Sequence, residues 1–276
     1  QILSSNLVSN GDFSQEGVQE VSNGSFSQEG VQLITNGDFS SDTNWVKQAG
    51  WSISDGTANC DGSQNLPESV YQNGVTVVGK TYKITYTLVS ITSGTVRAVA
   101  GTLGGASQST IGTHTEYLTA TSNTAIQIQA SSSFIGSIDN VSVKEVGQDW
   151  DLGTGWSIGE DKAICNGSDG VNITQNGVIE NLKIYKISFN ILNYVSGFLN
   201  GRIGSANSND FTVSSDGNYS FNITSDGTNF IFRSSSFNGS ITNISVKEVG
   251  QDWTLGTGWS IGEDKAISDG TSGNLD

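Results

Sequence analysis

A chain of 276 residues with 27 Asp and Glu against 12 Lys and Arg carries a formal charge of −15. Such an acidic surface repels phosphate backbones, and no basic stripe offsets it, so nucleic acid is excluded as an expected ligand. No apolar run approaches the roughly eighteen residues of a membrane-spanning helix, so no membrane insertion is expected.

Apolar residues make up 34%, with 35 Gly, one proline, one histidine and no methionine. No long run of Ala, Leu, Glu and Lys supports a helix. Val, Ile, Thr, Ser and aromatic residues separated by Asn-Gly and Asp-Gly pairs predict short strands joined by tight turns. No secretory signal opens the chain. A chain that starts with Gln1 and lacks Met is expected to be processed or to be part of a longer one.

From the N-terminus, NGDFSQEGVQ at Asn10–Gln19 recurs as NGSFSQEGVQ at Asn23–Gln32, and NGDFS returns at Asn36, a step of 13 residues. Units this short cannot bury a hydrophobic face alone, so they must stack on each other, on a larger module or on another chain. A second, longer period lies downstream. SVKEVGQDW at Ser142–Trp150 returns at Ser245–Trp253, a shift of 103, and GKTYKITYTL at Gly79–Leu88 corresponds to LKIYKISFNI at Leu182–Ile191 at the same shift. The expected organisation is therefore strand repeats over 1–35, one module over 36–148, a second over 149–251 and a partial third over 252–276.

Within module 1, Tyr82, Ile84, Tyr86 and Leu88 alternate with polar residues and predict a half-buried strand. Tyr185, Ile187, Phe189 and Ile191 repeat that face in module 2. Further strands are expected near Thr95–Ala100, Thr115–Thr119, Ala125–Ala130 and Ser137–Val146. Phe230 and Phe232 fall in step with Ile126 and Ile128 if module 2 lacks one residue before its SSSF, and they are then expected in the core. About eight strands per module, with turns every 8–12 residues, indicate an all-β fold of tandem antiparallel β-sandwich modules, most simply jelly rolls.

Cys60 and Cys165 occupy the same position of successive modules, which predicts two buried small residues and no disulfide. Residues 252–276 hold only the first strand signals of a third module. Either the chain continues past Asp276 or a neighbouring subunit completes the fold, with its N-terminal strand repeats as donors.

NGDF near the start of module 1, a Trp pair near its second strand and the closing SIDNVSV together resemble the jelly-roll carbohydrate-binding modules of glycan-degrading enzymes. With GTGWSI and SVKEVGQ, the combination also resembles repeat modules of marine bacteriophage structural proteins and tail fibres. The resemblance covers residues 36–251. It implies non-catalytic glycan binding, often with a structural calcium ion. In module 1 the matching calcium positions are Asp38 and Asp139, and oxygen ligands of this kind suit calcium; module 2 has Thr242 in place of Asp139. The alternative is that these residues cap bends.

The tryptophans fall in pairs, Trp45/Trp51, Trp150/Trp156 and Trp253/Trp259. The first two pairs, with Gln72 and Asn73 in module 1 and Gln175 and Asn176 in module 2, are the candidate glycan contacts: a flat indole for a sugar face and amides for its hydroxyls. The competing interpretation places Trp51 and Trp156 in the core. No catalytic set is expected. His114 has no counterpart in module 2, and Glu160/Asp161 with their copies Glu263/Asp264 are most simply acidic turn residues.

The expected function is that of a structural and adhesive repeat protein, extracellular and non-catalytic, of a bacteriophage fibre or virion appendage. Its expected partners are copies of itself, other fibre proteins and cell-surface glycans bound weakly at many points. The alternatives are the carbohydrate-binding region of a secreted glycan-degrading enzyme, and a bacterial surface adhesin or self-complementing filament subunit.

Overall fold

The computed structural model describes residues 8–204, 209–262 and 264–276. All regular structure among them is β, and two compact units form. One comprises Ser27–Gln148 with Ser157–Glu160; the other takes the chain through Phe26, Asp149–Trp156 and everything from Asp161.

The unit built on module 1 is an antiparallel sandwich. One sheet runs Gly112–Thr119, Thr81–Ser93, Ile135–Val146, Thr57–Cys60, Trp51–Ser54; the other runs Val46–Lys47, Glu68–Asn73, Ala125–Ala130, Val96–Ala100, Leu103–Gly104. Alternation decides which side chains point inward. Tyr82, Ile84, Tyr86 and Leu88 from the first sheet meet Ile126, Ile128, Val96 and Ala98 from the second, all at 1% exposure or less. Gly94, with φ +73°, separates Ser93 from the strand Val96–Ala100 where the chain turns from one sheet into the other. A Cβ there would lie 2.5 Å from the Phe134 backbone, so only glycine fits the corner.

The unit built on module 2 repeats this plan with a heavier aromatic core. Tyr185, Ile187, Phe189 and Ile191 are buried, as are Phe230, Phe232 and Phe237. Phe230 pairs with Gln175 as Ile126 pairs with Gln72, which confirms the expected correspondence of the two strands. Here Ile184–Gly204 and Asn229–Val249 each run through the corner without a break, so nine strands join in one continuous sheet. Phe211 lies flat against Phe221, with ring centroids 4.3 Å apart, and covers Gly201, where module 1 has Ala98.

Each module has a buried tyrosine whose hydroxyl accepts a backbone N–H five residues earlier: Tyr82 from Val77 and Tyr185 from Glu180, both at 2.8 Å. Burial raises both phenols above their ordinary range. Cys60 and Cys165 are buried free thiols, as expected from their repeated position.

Candidate functional site

The closing strand of each module sets up the most distinctive arrangement in the molecule. Ile135–Val146 pairs with Thr81–Ser93 on one edge. On its other edge its first half pairs with Thr57–Cys60 and its second half with Glu29–Gln32. The hand-over lies at Asn140, which adopts a left-handed φ of +53° within a bulge; Asn243 does the same, also at +53°, in module 2. Asn tolerates this conformation better than most residues, and a bulge re-aims the strand.

The segments on that edge come from the N-terminus. For module 1 it is Glu29–Phe39. Glu29 and Gln32 pair with Val146 and Lys144, and Leu33 N–H donates to Val143 O at 2.9 Å. Ile34 and Phe39 are buried. Val141 N–H donates to Gly37 O, Phe39 packs on Trp45 at 5.1 Å, and Trp45 Nε1–H donates to Asn36 O at 2.8 Å.

For module 2 the same role falls to Glu16–Phe26, which precedes the whole of module 1 in the chain. Glu16 and Gln19 pair with Val249 and Lys247, and Glu20 N–H donates to Val246 O. Val21 and Phe26 are buried; Ile244 N–H donates to Gly24 O; Phe26 packs on Trp150 at 5.3 Å; and Trp150 Nε1–H donates to Asn23 O at 3.2 Å. A third copy of the contact joins Asn10 and Phe13 to Trp253, with a 3.0 Å hydrogen bond and rings 5.0 Å apart.

These opening segments are therefore used in reverse order. Their structural unit is also phased differently from the sequence repeat: it begins at Glu-Gly-Val-Gln and ends at Asn-Gly-x-Phe. Glycine is required in the second part. A Cβ at Gly24 or Gly37 would come within 2.0 or 2.1 Å of a closing-strand carbonyl oxygen, that of Ile244 or Val141.

One glutamate anchors each segment electrostatically. Glu29 bridges Lys83 at 2.6 Å and Lys144 at 2.7 Å; Glu16 bridges Lys186 at 2.7 Å and Lys247 at 2.9 Å. Hydrogen bonds from the paired ammonium groups hold both carboxyls below the ordinary glutamate value. Half-exposed ion pairs contribute less than about 1 kcal/mol each. Burying an aliphatic or aromatic side chain such as Val21 or Phe26 contributes about 1.5–3 kcal/mol. The apolar anchors dominate binding strength, and the glutamates favour one register.

The residues proposed from sequence for sugar contact take up places in this framework. Trp45, Trp51, Trp150 and Trp156 are 4–7% exposed. Trp51 Nε1–H donates to Glu68 O, and Trp156 stacks near Phe237. Gln72 grips the opening segment, its amide accepting from Thr35 N–H and donating to Thr35 O; Gln175 makes the same pair of bonds to Ser22. Asn73 and Asn176 are exposed, and Asn176 donates to Asp151. The indole faces of modules 1 and 2 are thus covered by protein, and the two glutamines hold backbone.

Asp38 caps Ser40, and Asp139 accepts from the N–H and amide of its neighbour Asn140. Among the described residues no group of three or more His, Cys, Asp or Glu converges. Two carboxylates that each cap a bend leave most of the six to eight oxygens calcium takes to backbone carbonyls and water. In module 2 Thr242 donates instead to the backbone oxygen of Asp161. Glu160 and Asp161 form the turn between Trp156–Gly159 and Lys162–Asn166, with φ of +49° and +58°; Glu263 lies outside the described residues. His114 rests on Tyr86 and bonds Thr110 O.

The third tryptophan pair differs from the first two. Trp253 and Trp259 are only half-buried and line a cleft of about 460 Å³ with Leu255, Leu182, Lys183 and Gln251. A second cleft of about 550 Å³ is bordered by Phe13, Glu16, Lys186, Phe221, Asn222 and Asp264. Both lie within the unit built on module 2 and combine aromatic faces with polar groups. The pairing of Glu16 and Glu29 with lysines of the closing and neighbouring strands left no trace in the sequence beyond the two periods, and neither period says that the two repeats meet.

No protein-family model matches the sequence, and no curated protein matches it. Among solved structures the chain is similar to the N-terminal CBM22-1–CBM22-2 tandem domain of Paenibacillus barcinonensis Xyn10C, at 9% identity and a TM-score of 0.36, over 80% of this chain and 99% of that one. It is similar to allantoicase from Saccharomyces cerevisiae at 10% identity and a TM-score of 0.33, over 84% and 93%. It is similar to the tandem CBM51 modules of Sp3GH98, the family 98 glycoside hydrolase from Streptococcus pneumoniae, at 7% identity and a TM-score of 0.27, over 85% and 96%.

Proposed function

We propose that this chain is a non-catalytic structural array with an adhesive role outside the cell, its modules fixed by opening strands supplied from the N-terminus. The observation that supports this reading is the fate of the polar and aromatic residues. In modules 1 and 2, Trp45, Trp150, Gln72 and Gln175 are engaged in holding Glu29–Phe39 and Glu16–Phe26, and Trp51 and Trp156 are buried. A framework that commits these groups to its own assembly suits mechanical continuity better than turnover of a substrate.

Adhesion is assigned to the third tryptophan pair. Trp253 and Trp259 line a cleft with Lys183, Gln251 and Thr254, a mixture of flat apolar and hydrogen-bonding groups suited to a glycan. The assignment to a bacteriophage fibre or virion appendage rests on the sequence resemblance alone. Affinity electrophoresis of the intact chain through gels containing acidic and neutral polysaccharides tests the adhesive part. Retardation by one polysaccharide that disappears in Trp259→Ala, and persists in Asn73→Ala, is the expected result. Unchanged mobility in every gel would remove the glycan role.

A further inference from the structure

We infer that the opening strand of module 2 is exchangeable between copies of this chain, so that Glu16–Phe26 of one copy can complete module 2 of another. This goes beyond the structural role proposed above, which requires only that each chain complete its own modules.

Three observations carry the inference. First, Glu16–Phe26 and the body of module 2 belong to one compact unit, yet the chain between Phe26 and Asp149 is an entire sandwich. Until module 1 has folded and brought the ends of this connection together through the Glu29–Val146 pairing, the segment is tethered by a long loop whose closure carries an entropic cost, and its effective concentration is low. A neighbouring copy therefore competes on better terms than it would against a two-residue hairpin.

Second, the segment and its groove are each nearly duplicated. The opening segments read EGVQEVSNGSF and EGVQLITNGDF, and the grooves they enter share the closing-strand sequence SVKEV, at Ser142–Val146 with Trp45 in one and at Ser245–Val249 with Trp150 in the other. The contacts are the same in both: a glutamate on two lysines, a glutamine side chain of the module on the backbone, a glycine against the closing strand and a phenylalanine on a tryptophan. Leu33, packed on the core of module 1, stands where the other segment has Glu20, so the two segments differ, but no contact in the groove identifies which copy of the chain supplies its segment. Connectivity alone makes that choice.

Third, the groove is an edge position. Without Glu16–Gln19, the second half of Asn229–Val249 would present an unpaired ladder from Ser245 to Val249 on that side, together with uncovered Trp150. Open edges of this kind recruit strands from other chains, and exchange of an identical element between protomers costs little because the same bonds form.

The test uses two full-length variants, one carrying Gln19→Cys and the other Lys247→Cys, positions that face each other across the ladder. Cys60 and Cys165 are buried and do not compete at the surface. The two are unfolded together, refolded at graded concentration and then oxidised. The expected result is a disulfide-linked heterodimer whose share rises with protein concentration, while each variant oxidised alone gives none of it. If a third variant carrying both substitutions closes on itself at every concentration while the mixed single variants stay monomeric, the inference is overturned. Sedimentation of the unsubstituted chain gives an independent readout. A mass that grows with the concentration at refolding supports exchange, and a strictly monomeric chain over the whole range rejects it.

Discussion

Trp150 and Trp253 stand at the end of the same nine residues, SVKEVGQDW, and both are met by an Asn-Gly-x-Phe segment through the same hydrogen bond and ring contact. Trp150 is nevertheless 4% exposed, while Trp253 is half-buried in an open cleft. The two indoles differ in what packs on them among the described residues. After Trp150 the chain builds further strands, and Phe230 reaches the indole edge at 6.2 Å. After Trp253 the described chain supplies one hairpin, Trp259–Ser268, and a short bridge between Leu255 and Leu275. Local sequence brings a tryptophan to its clasp; the rest of the sandwich decides whether it becomes core.

The most forceful way to break this comparison is to remove both indoles in turn. Trp150→Ala should destabilise its unit by about 3–5 kcal/mol, the range for a large aromatic lost from a packed interior. Trp253→Ala should cost clearly less, under about 2 kcal/mol, because part of its surface is already in water. Urea titration of the two variants measures this, and equal losses would mean that the third pair is buried in solution.

Substitutions of the opening-segment glycines sharpen the comparison at the next level. Gly24→Ala places a Cβ against the Ile244 carbonyl and should cost about 1–3 kcal/mol through displaced backbone. At Gly17 the nearest atoms are 3.3 Å away, so Gly17→Ala should change stability by no more than about 1 kcal/mol. Thermal melts that rank the two variants the other way would contradict the close approach.

Acid should act next. The carboxyls of Glu16 and Glu29 titrate below their ordinary value near 4.5 when folded, because of their paired lysines. A depressed folded value contributes stability that is present above the unfolded value and is lost as pH falls through the folded one. The opening segments should therefore loosen below about pH 4.5, by less than about 1 kcal/mol per ion pair. The protection of the Glu20 and Leu33 amides against hydrogen exchange, measured relative to the intrinsic rate at each pH, should fall in that window, and Glu16→Gln with Glu29→Gln should flatten this dependence. A chelator should have the smallest effect of all. With Asp38 and Asp139 each capping a bend, EDTA should leave the melting temperature unchanged, and a drop would restore the calcium reading.

The strands themselves were legible. Period-two alternation placed Tyr82 to Leu88 and Tyr185 to Ile191 on inner faces, and the repeat, with one residue fewer before SSSF in module 2, aligned Phe230 and Phe232 with Ile126 and Ile128. These are local properties, since each inner side chain is selected by burial at its own position. The site was less legible. Trp45, Trp150, Gln72 and Gln175 were visible as unusual residues, but their partners are short backbone segments up to 153 positions away in the chain. Backbone hydrogen-bond groups are alike at every residue, so an acceptor such as Asn23 O or Thr35 O carries no sequence mark of the side chain that will reach it.

By itself, then, the sequence determined an all-β chain of duplicated modules, their inner faces and the lack of a disulfide between repeated cysteines. Only the tertiary structure decided that Glu16–Phe26 serves the module lying beyond a complete sandwich and that the thirteen-residue repeat is read out of phase with its structural unit. The physical reason is the same in each case. Alternation and turn chemistry act over a few residues, whereas strand pairing is chosen by the whole set of edges available once the chain has collapsed.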